Sequence, residues 1–192
     1  MMINPRQNIV KRSFSMNMPN LYSDPADISM RMIVDSSMLR YSGDWVKVLI
    51  DAHPSDSCTI TGMSIGVQSS GISTVDTPRR LLFNGQASGT SAAGTIVETD
   101  WLYFPFDKSL THLIHLTFIT DTCALRYVGL GGDRKYVKFS SEDDTLVTSP
   151  SGYSSDGYFN AICGILVASN SDIRYLSGKH RRYSFGPVSV GI

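Results

Sequence analysis

From Met30 onward, large apolar residues recur in short runs, set between clusters of Gly, Pro, Asp and Ser. Such runs, rich in Val, Ile, Thr, Tyr, Phe and Trp, read as strands. In DWVKVLIDA (44–52), Val46, Val48 and Ile50 fall on one face while Lys47 and Asp51 fall on the other. This period of two predicts a strand that buries one side only. Further strands are predicted over 30–35 (MRMIVD), 58–67 (CTITGMSIGV), 79–84 (RRLLFN), 95–104 (TIVETDWLYF), 111–120 (THLIHLTFIT), 135–139 (KYVKF) and 158–168 (YFNAICGILVA). Nowhere does an apolar i, i+3, i+4, i+7 pattern persist for three turns, so no helix is available to cross between parallel strands. The pattern predicts an all-β fold, an antiparallel β-sandwich of jelly-roll type.

Between two of these runs lies GQASGTSAAGT, made almost wholly of small residues. A phosphate loop would need Lys and Ser or Thr after its last glycine, then a helix, and neither follows. A flexible linker would need a domain on each side, and 192 residues suit one core rather than two. The stretch is therefore read as a short strand followed by a turn near Ala92–Gly94.

The sandwich is assigned to residues 29–170. Residues 1–28 carry Pro5, Pro19 and Pro25 and no sustained period, and are read as an extended N-terminal arm. Ile9, Val10, Phe14, Met16, Leu21 and Tyr22 make it richer in anchors than a solvated tail needs, which points to docking on a neighbouring subunit. Residues 171–192 are read as a C-terminal extension or last strand. There, Arg181 and Arg182 would pair with acidic residues of a neighbour, and Tyr183 and Phe185 would anchor the contact.

Positive and negative side chains balance to a formal net charge of +0, which argues against nucleic acid as a partner. No stretch approaches the length of a membrane span, and no apolar segment follows the basic N-terminal residues, so the chain is expected to lack a membrane partner and a signal. Cys58, Cys123 and Cys163 are far apart, with no C-x-x-C pair, and are read as small core residues with reduced thiols.

The order RLLFNGQASGTSAAGTIVETDWLYFPFDKSLTHLIHLTFIT (80–120) resembles the accessory β-sandwich module that precedes the catalytic domain in some SGNH (GDSL-type) hydrolases. Similar modules occur in proteins of tailed-phage particles, with upstream strands that SGDWVKVLIDA (42–52) and TITGMSIG (59–66) resemble. The resemblance spans roughly residues 40–128 and rests on strands and turns, so it implies fold more than function. In the hydrolases the module is not the catalyst, and no catalytic residue carries over. With the hydrolase domain absent and an arm on each side, the resemblance implies a freestanding virion component assembled in the host cytoplasm.

Four motifs hold candidate chemistry. Gly62-Met63-Ser64-Ile65-Gly66 matches the G-x-S-x-G nucleophile elbow, with His112, His115 and His180 later in the chain, but the alternation through Ile60, Gly62 and Ser64 reads as strand and no helix can start at Val67. His112 and His115 lie three apart, hence on opposite faces, which argues against a shared metal; one is expected against the core, the other toward water or a neighbour. Glu142, Asp143 and Asp144 lack the spaced pattern of a calcium loop and are read as a solvated acidic loop. The loop 149–158 (SPSGYSSDGY) has the composition of adaptable recognition surfaces, and Tyr153, Asp156 and Tyr158 are its candidate contacts for a sugar or partner protein, beside the plainer reading of a long loop.

The sequence thus predicts no catalytic, metal or cofactor site. It points to a non-enzymatic structural protein of a tailed-phage virion that contacts other virion proteins and copies of itself. The alternative is a carbohydrate-binding module that uses exposed Tyr and Trp, with Trp45 and Trp101 as the decisive residues.

Overall fold

In the computed structural model, which describes residues 10–25, 27–51, 53–118, 122–140 and 142–169, the chain is almost entirely antiparallel β-structure. Seventeen strands follow in order: β1 (Val10–Ser15), β2 (Asn20–Pro25), β3 (Ile28–Val34), β4 (Gly43–Asp51), β5 (Cys58–Ile60), β6 (Gly62–Ser70), β7 (Ser73–Thr74), β8 (Arg79–Arg80), β9 (Gly89–Ser91), β10 (Ile96–Glu98), β11 (Leu102–Phe106), β12 (His112–Phe118), β13 (Thr122–Gly129), β14 (Lys135–Phe139), β15 (Ser154–Asp156), β16 (Tyr158–Asn160) and β17 (Ile162–Ala168). Among the described residues the one helical element is a 3-10 turn at Ser36–Met38, capped by the Asp35 side chain accepting from the Ser37 amide at 2.9 Å. No helix among the described residues is long and apolar enough to cross a membrane.

Two sheets form the sandwich. One runs β1-β17-β4-β10, with β11 also on β4; the other runs β15-β14-β3-β12-β6-β7, with β8 on β6. The core lies where alternate residues of each meet: Phe14, Val46, Val48, Ile50, Ile165 and Val167 from the first, and Met30, Met32, Ile65, Ile114, Leu116 and Phe118 from the second. Two smaller sheets, β16-β13-β2 and β5-β9, complete the pairing.

The predicted small-residue strand is β9, and its turn closes by Thr95 donating to the Ala92 carbonyl, with Gly94 at φ +68°. Upstream, Phe83 and Gln86 pair across Asn84-Gly85, both at positive φ (51° and 79°), as a tight Asn-Gly hairpin requires. The amides of Asn84 and Gly85 donate to the Asp100 carboxylate at 3.2 and 2.7 Å. The FNG turn and the aspartate of VETD, whose bonded residues are 15 and 16 positions apart, thus form one local device. Gly89 must be glycine for a further reason, since a Cβ there would lie 2.5 Å from the Phe83 ring.

The arm expected over 1–28 is not an arm across residues 10–25. β1 pairs with β17 as an edge of the first sheet, and β2 pairs with β13 along its length. Phe14 is buried against Phe159, with ring centroids 5.5 Å apart, Met18 is equally buried, and Met16 packs on the core. These apolar residues are anchors, but for their own domain: the unpaired edges of β17 and β13 supply hydrogen bonds that no free arm has. Val10 and Leu21 stay exposed, Tyr22 contributes backbone to β2, and Ile9 lies outside the described residues, as does the whole extension 171–192. β4 also departs from the one-sided pattern, because Leu49, on the face of Lys47 and Asp51, is buried beside Gly164 of β17.

Because Phe14 fills the core, Phe14→Ala should lower unfolding stability by about 3–5 kcal/mol. Urea denaturation at two protein concentrations checks this. A stability change that appears only through concentration-dependent association would mean that Phe14 serves a neighbour instead.

Candidate functional site

The register of the second sheet brings polar residues into line on its outer face. Tyr136, Arg31, His115, Ser64 and Arg80 form one cross-strand row, and Lys138, Ser29, Thr117 and Gly62 the next. Most of this layer is buried, because the segment 142–148 and the turn leading into β7 lie over it. The Thr74 amide donates to the Thr148 carbonyl at 3.0 Å, and Ser149 donates to Ser73 at 2.9 Å, so the two coverings are tied to each other.

Arg31 is the centre of this layer, only 1% exposed. Its Nη1 donates to the Ile72 carbonyl at 2.7 Å, and its Nη2 to the carbonyls of Asp144 at 3.0 Å and Val147. Its Nε donates to His115 Nδ1 at 3.3 Å. That bond fixes the imidazole: Nδ1 accepts, so Nε2 carries the proton and donates to Thr117 Oγ1 at 2.7 Å. Burial first, and the Arg31 charge second, push the His115 pKa down to about 3.

The G-x-S-x-G match takes its meaning from the same covering. Gly62, Ser64 and Gly66 occupy alternate positions of β6 and all face the loops. A Cβ on Gly62 would run into Thr145 Oγ1, and one on Gly66 would lie 2.7 Å from Thr74 Cγ2. Ser64 is buried and donates to the Thr145 carbonyl at 2.5 Å. β6 continues to Ser70 without a helix. Small residues are needed here for close packing of a loop on a sheet, and the serine is neither on an elbow nor bonded to an imidazole, although His115 is its direct cross-strand neighbour.

His112 and His115 do lie on opposite faces, but neither meets water or a neighbour. His112 sits on the core side, stacked on Phe106 at 4.2 Å and edge-on to Phe104 at 5.9 Å. Burial lowers its pKa to about 4, offset only in part by the Leu110 backbone and Asp107. Reading the sheet as wet on one face missed the loops that close it.

The acidic loop is only partly solvated. Glu142 and Asp143 are exposed, but Asp144 is buried, and Lys138 donates to both Asp144, at 3.1 Å, and Glu142. No group of three His, Cys, Asp or Glu among the described residues is placed to hold a metal ion. Cys58 is buried in the core; Cys163 is a free thiol whose pKa burial raises to about 11, which favours its protonated form.

The loop 149–158 does not converge into one site. Tyr153 is half-buried near Arg31 and Asp144, and desolvation raises its phenol to about 12. Asp156 pairs with the buried Lys135 at 3.2 Å and accepts from the Tyr158 amide. Tyr158 alone stands out, edge-on to Tyr127 at 5.1 Å. Trp45 and Trp101 are half-buried, but they belong to the opposite sheet, so the loop and the tryptophans do not share a surface. A cleft of about 280 Å³ beside β6 and β8 presents Asp76, Thr77 and Arg79, and the buried histidines and Ser64 are not among the residues lining it.

No protein-family model matches the chain, and no curated protein matches it.

Two outcomes follow from this layer. Arg31→Met takes the guanidinium donor from the Ile72 and Val147 carbonyls and leaves the Asp144 carbonyl with the Val147 amide alone, and should cost about 2–5 kcal/mol and speed amide exchange across 142–148; unchanged exchange there would contradict the clamp. Both histidines are neutral in the fold with lowered pKa values, so their contribution is complete above about pH 6.5. It falls as the pH drops toward 4, where the unfolded chain takes up protons first, by on the order of 3 kcal/mol for His112. Urea midpoints should therefore decline from about pH 7 to about pH 4.5, and His112→Phe should flatten that slope.

Proposed function

We propose that this chain is a non-enzymatic structural protein of a tailed-phage particle, a surface subunit of head or tail whose β-sandwich works through contact area. The observation that carries the reading is where chemistry and area lie. Arg31, Ser64, His112 and His115 are buried and committed to the fold, while Leu21, Ile96, Tyr103, Phe139 and Tyr158 stand 45–61% exposed. A catalyst has the opposite layout, with titratable groups opening into a cleft. Exposed aromatic and aliphatic side chains suit association with other surfaces.

The resemblance read in the sequence over roughly residues 40–128, to sandwich modules of phage particles, is an expectation that points the same way. With residues 10–25 built into the domain, the inter-subunit anchors of this proposal are residues 1–9 and the Arg181, Arg182, Tyr183 and Phe185 group. Net neutrality leaves apolar burial, rather than long-range attraction, as the main driving force.

Mass spectrometry of purified tailed-phage particles from the source tests the proposal. The chain is expected in a fixed ratio to the major particle proteins. The full-length Arg181→Glu/Arg182→Glu variant should keep its melting temperature yet be depleted from particles by about tenfold. A chain found only free in the lysate overturns the reading.

A further inference from the structure

We infer that the outer face of the five-stranded sheet is a carbohydrate-binding surface, with Trp45, Tyr103 and Trp101 as the stacking platform and Lys47 and Glu98 as partners for the hydroxyl rim of a neutral hexopyranose chain. The inference rests on the reading of the chain as a non-catalytic surface protein, and names what one of its faces holds.

The alternation of β4 builds this face. Val46 and Val48 point into the core, so Trp45 and Lys47 point out. Tyr103 of β11 is the direct partner of Trp45, and the two rings meet edge to face with centroids 5.4 Å apart. One step along, Lys47 Nζ lies over the Trp101 ring at 5.6 Å and pairs with Glu98 at 2.9 Å. Three aromatic rings and one ion pair thus occupy adjoining positions on β4, on β10 and β11 that both pair with it, and on the segment entering β11. Tyr103 is 46% exposed, and both tryptophans stay partly wet.

A pyranose has an apolar C–H face and a rim of hydroxyls. Indole and phenol rings offer the matching flat apolar surface at low entropy cost, since each has two side-chain torsions to fix. The ion pair beside them supplies a donor and an acceptor. Glu98 is half exposed and Lys47 keeps 19% of its side chain exposed, and because the two charges stay paired, sugar hydroxyls can exchange for water without burying a lone charge. The charge pattern selects a neutral ligand. Lys47 is matched by Glu98, and Asp51, on the same face of β4, is matched by Arg126 at 3.3 Å. A charged ligand would meet a like charge at either pair. The 149–158 loop lies on the other sheet and takes no part.

The test uses the purified full-length chain and four probes: cellohexaose, laminarihexaose, chitohexaose and a linear mannan. Tryptophan fluorescence titration and affinity electrophoresis read the binding. At least one probe should bind with Kd between about 10 µM and 1 mM. Trp101→Ala and Tyr103→Ala should each weaken it by about tenfold or more, with unchanged circular dichroism, while the remote Tyr158→Ala should not. No binding by any probe overturns the inference, as does binding that survives both substitutions or is lost equally in Tyr158→Ala. A dimer in sedimentation velocity that Tyr103→Asp dissociates would assign the face to a second copy and also overturn it. None of these outcomes alters the mass spectrometry of particles, so the two proposals fail separately.

Discussion

A single buried guanidinium organises one whole side of this molecule. Arg31 is placed by β3 in the middle of a sheet, where a charge without partners would be prohibitive, and it finds them in the carbonyls of Ile72, Asp144 and Val147. Those carbonyls belong to two covering segments, and of the three only that of Asp144 also accepts a turn hydrogen bond, from the Val147 amide at 3.1 Å. The arginine needs the loops to be satisfied, and the loops need the arginine to stay down. The desolvated guanidinium, held below its ordinary pKa by burial, is compensated by nearby Asp144, whose carboxylate is in turn held by Lys138.

Everything else on that face follows from the clamp. Gly62, Ser64 and Gly66 are small because a loop lies on them; His115 has one tautomer because Arg31 donates to it; Ser64 is spent on the Thr145 carbonyl. Residues that read as reactive in a list are here the means by which a sheet is covered on both sides. The other sheet is the reverse case. Its outer face carries Trp45, Tyr103, Trp101 and the Lys47–Glu98 pair.

The strands with strong alternation were legible. The runs at 30–35, 44–52, 111–120 and 135–139 match β3, β4, β12 and β14 closely, and the small-residue strand with its turn at Ala92–Gly94 is where it was read. β1 and β2 were not, because their residues, such as VKRSFS, alternate weakly and gain their hydrogen bonds from β17 and β13, far later in the chain. β13 was missed for the same reason. The fate of His112 was equally hidden: the local pattern does not reveal that Phe106 of the preceding strand, β11 in the opposite sheet, stacks on it.

What the sequence by itself determined is the class: short runs of period two with no helical stripe leave an antiparallel sandwich as the way to bury those apolar sets. The tertiary structure alone decided which faces of the sheets stay wet. Sequence periodicity states that a strand has two sides, but burial of the second side depends on loops arriving from distant parts of the chain, and that is a property of three-dimensional closure rather than of local pattern. For this reason Ser64 and His115 are structural, Trp45 and Tyr103 are presented outward, and the supposed arm at Phe14 is core.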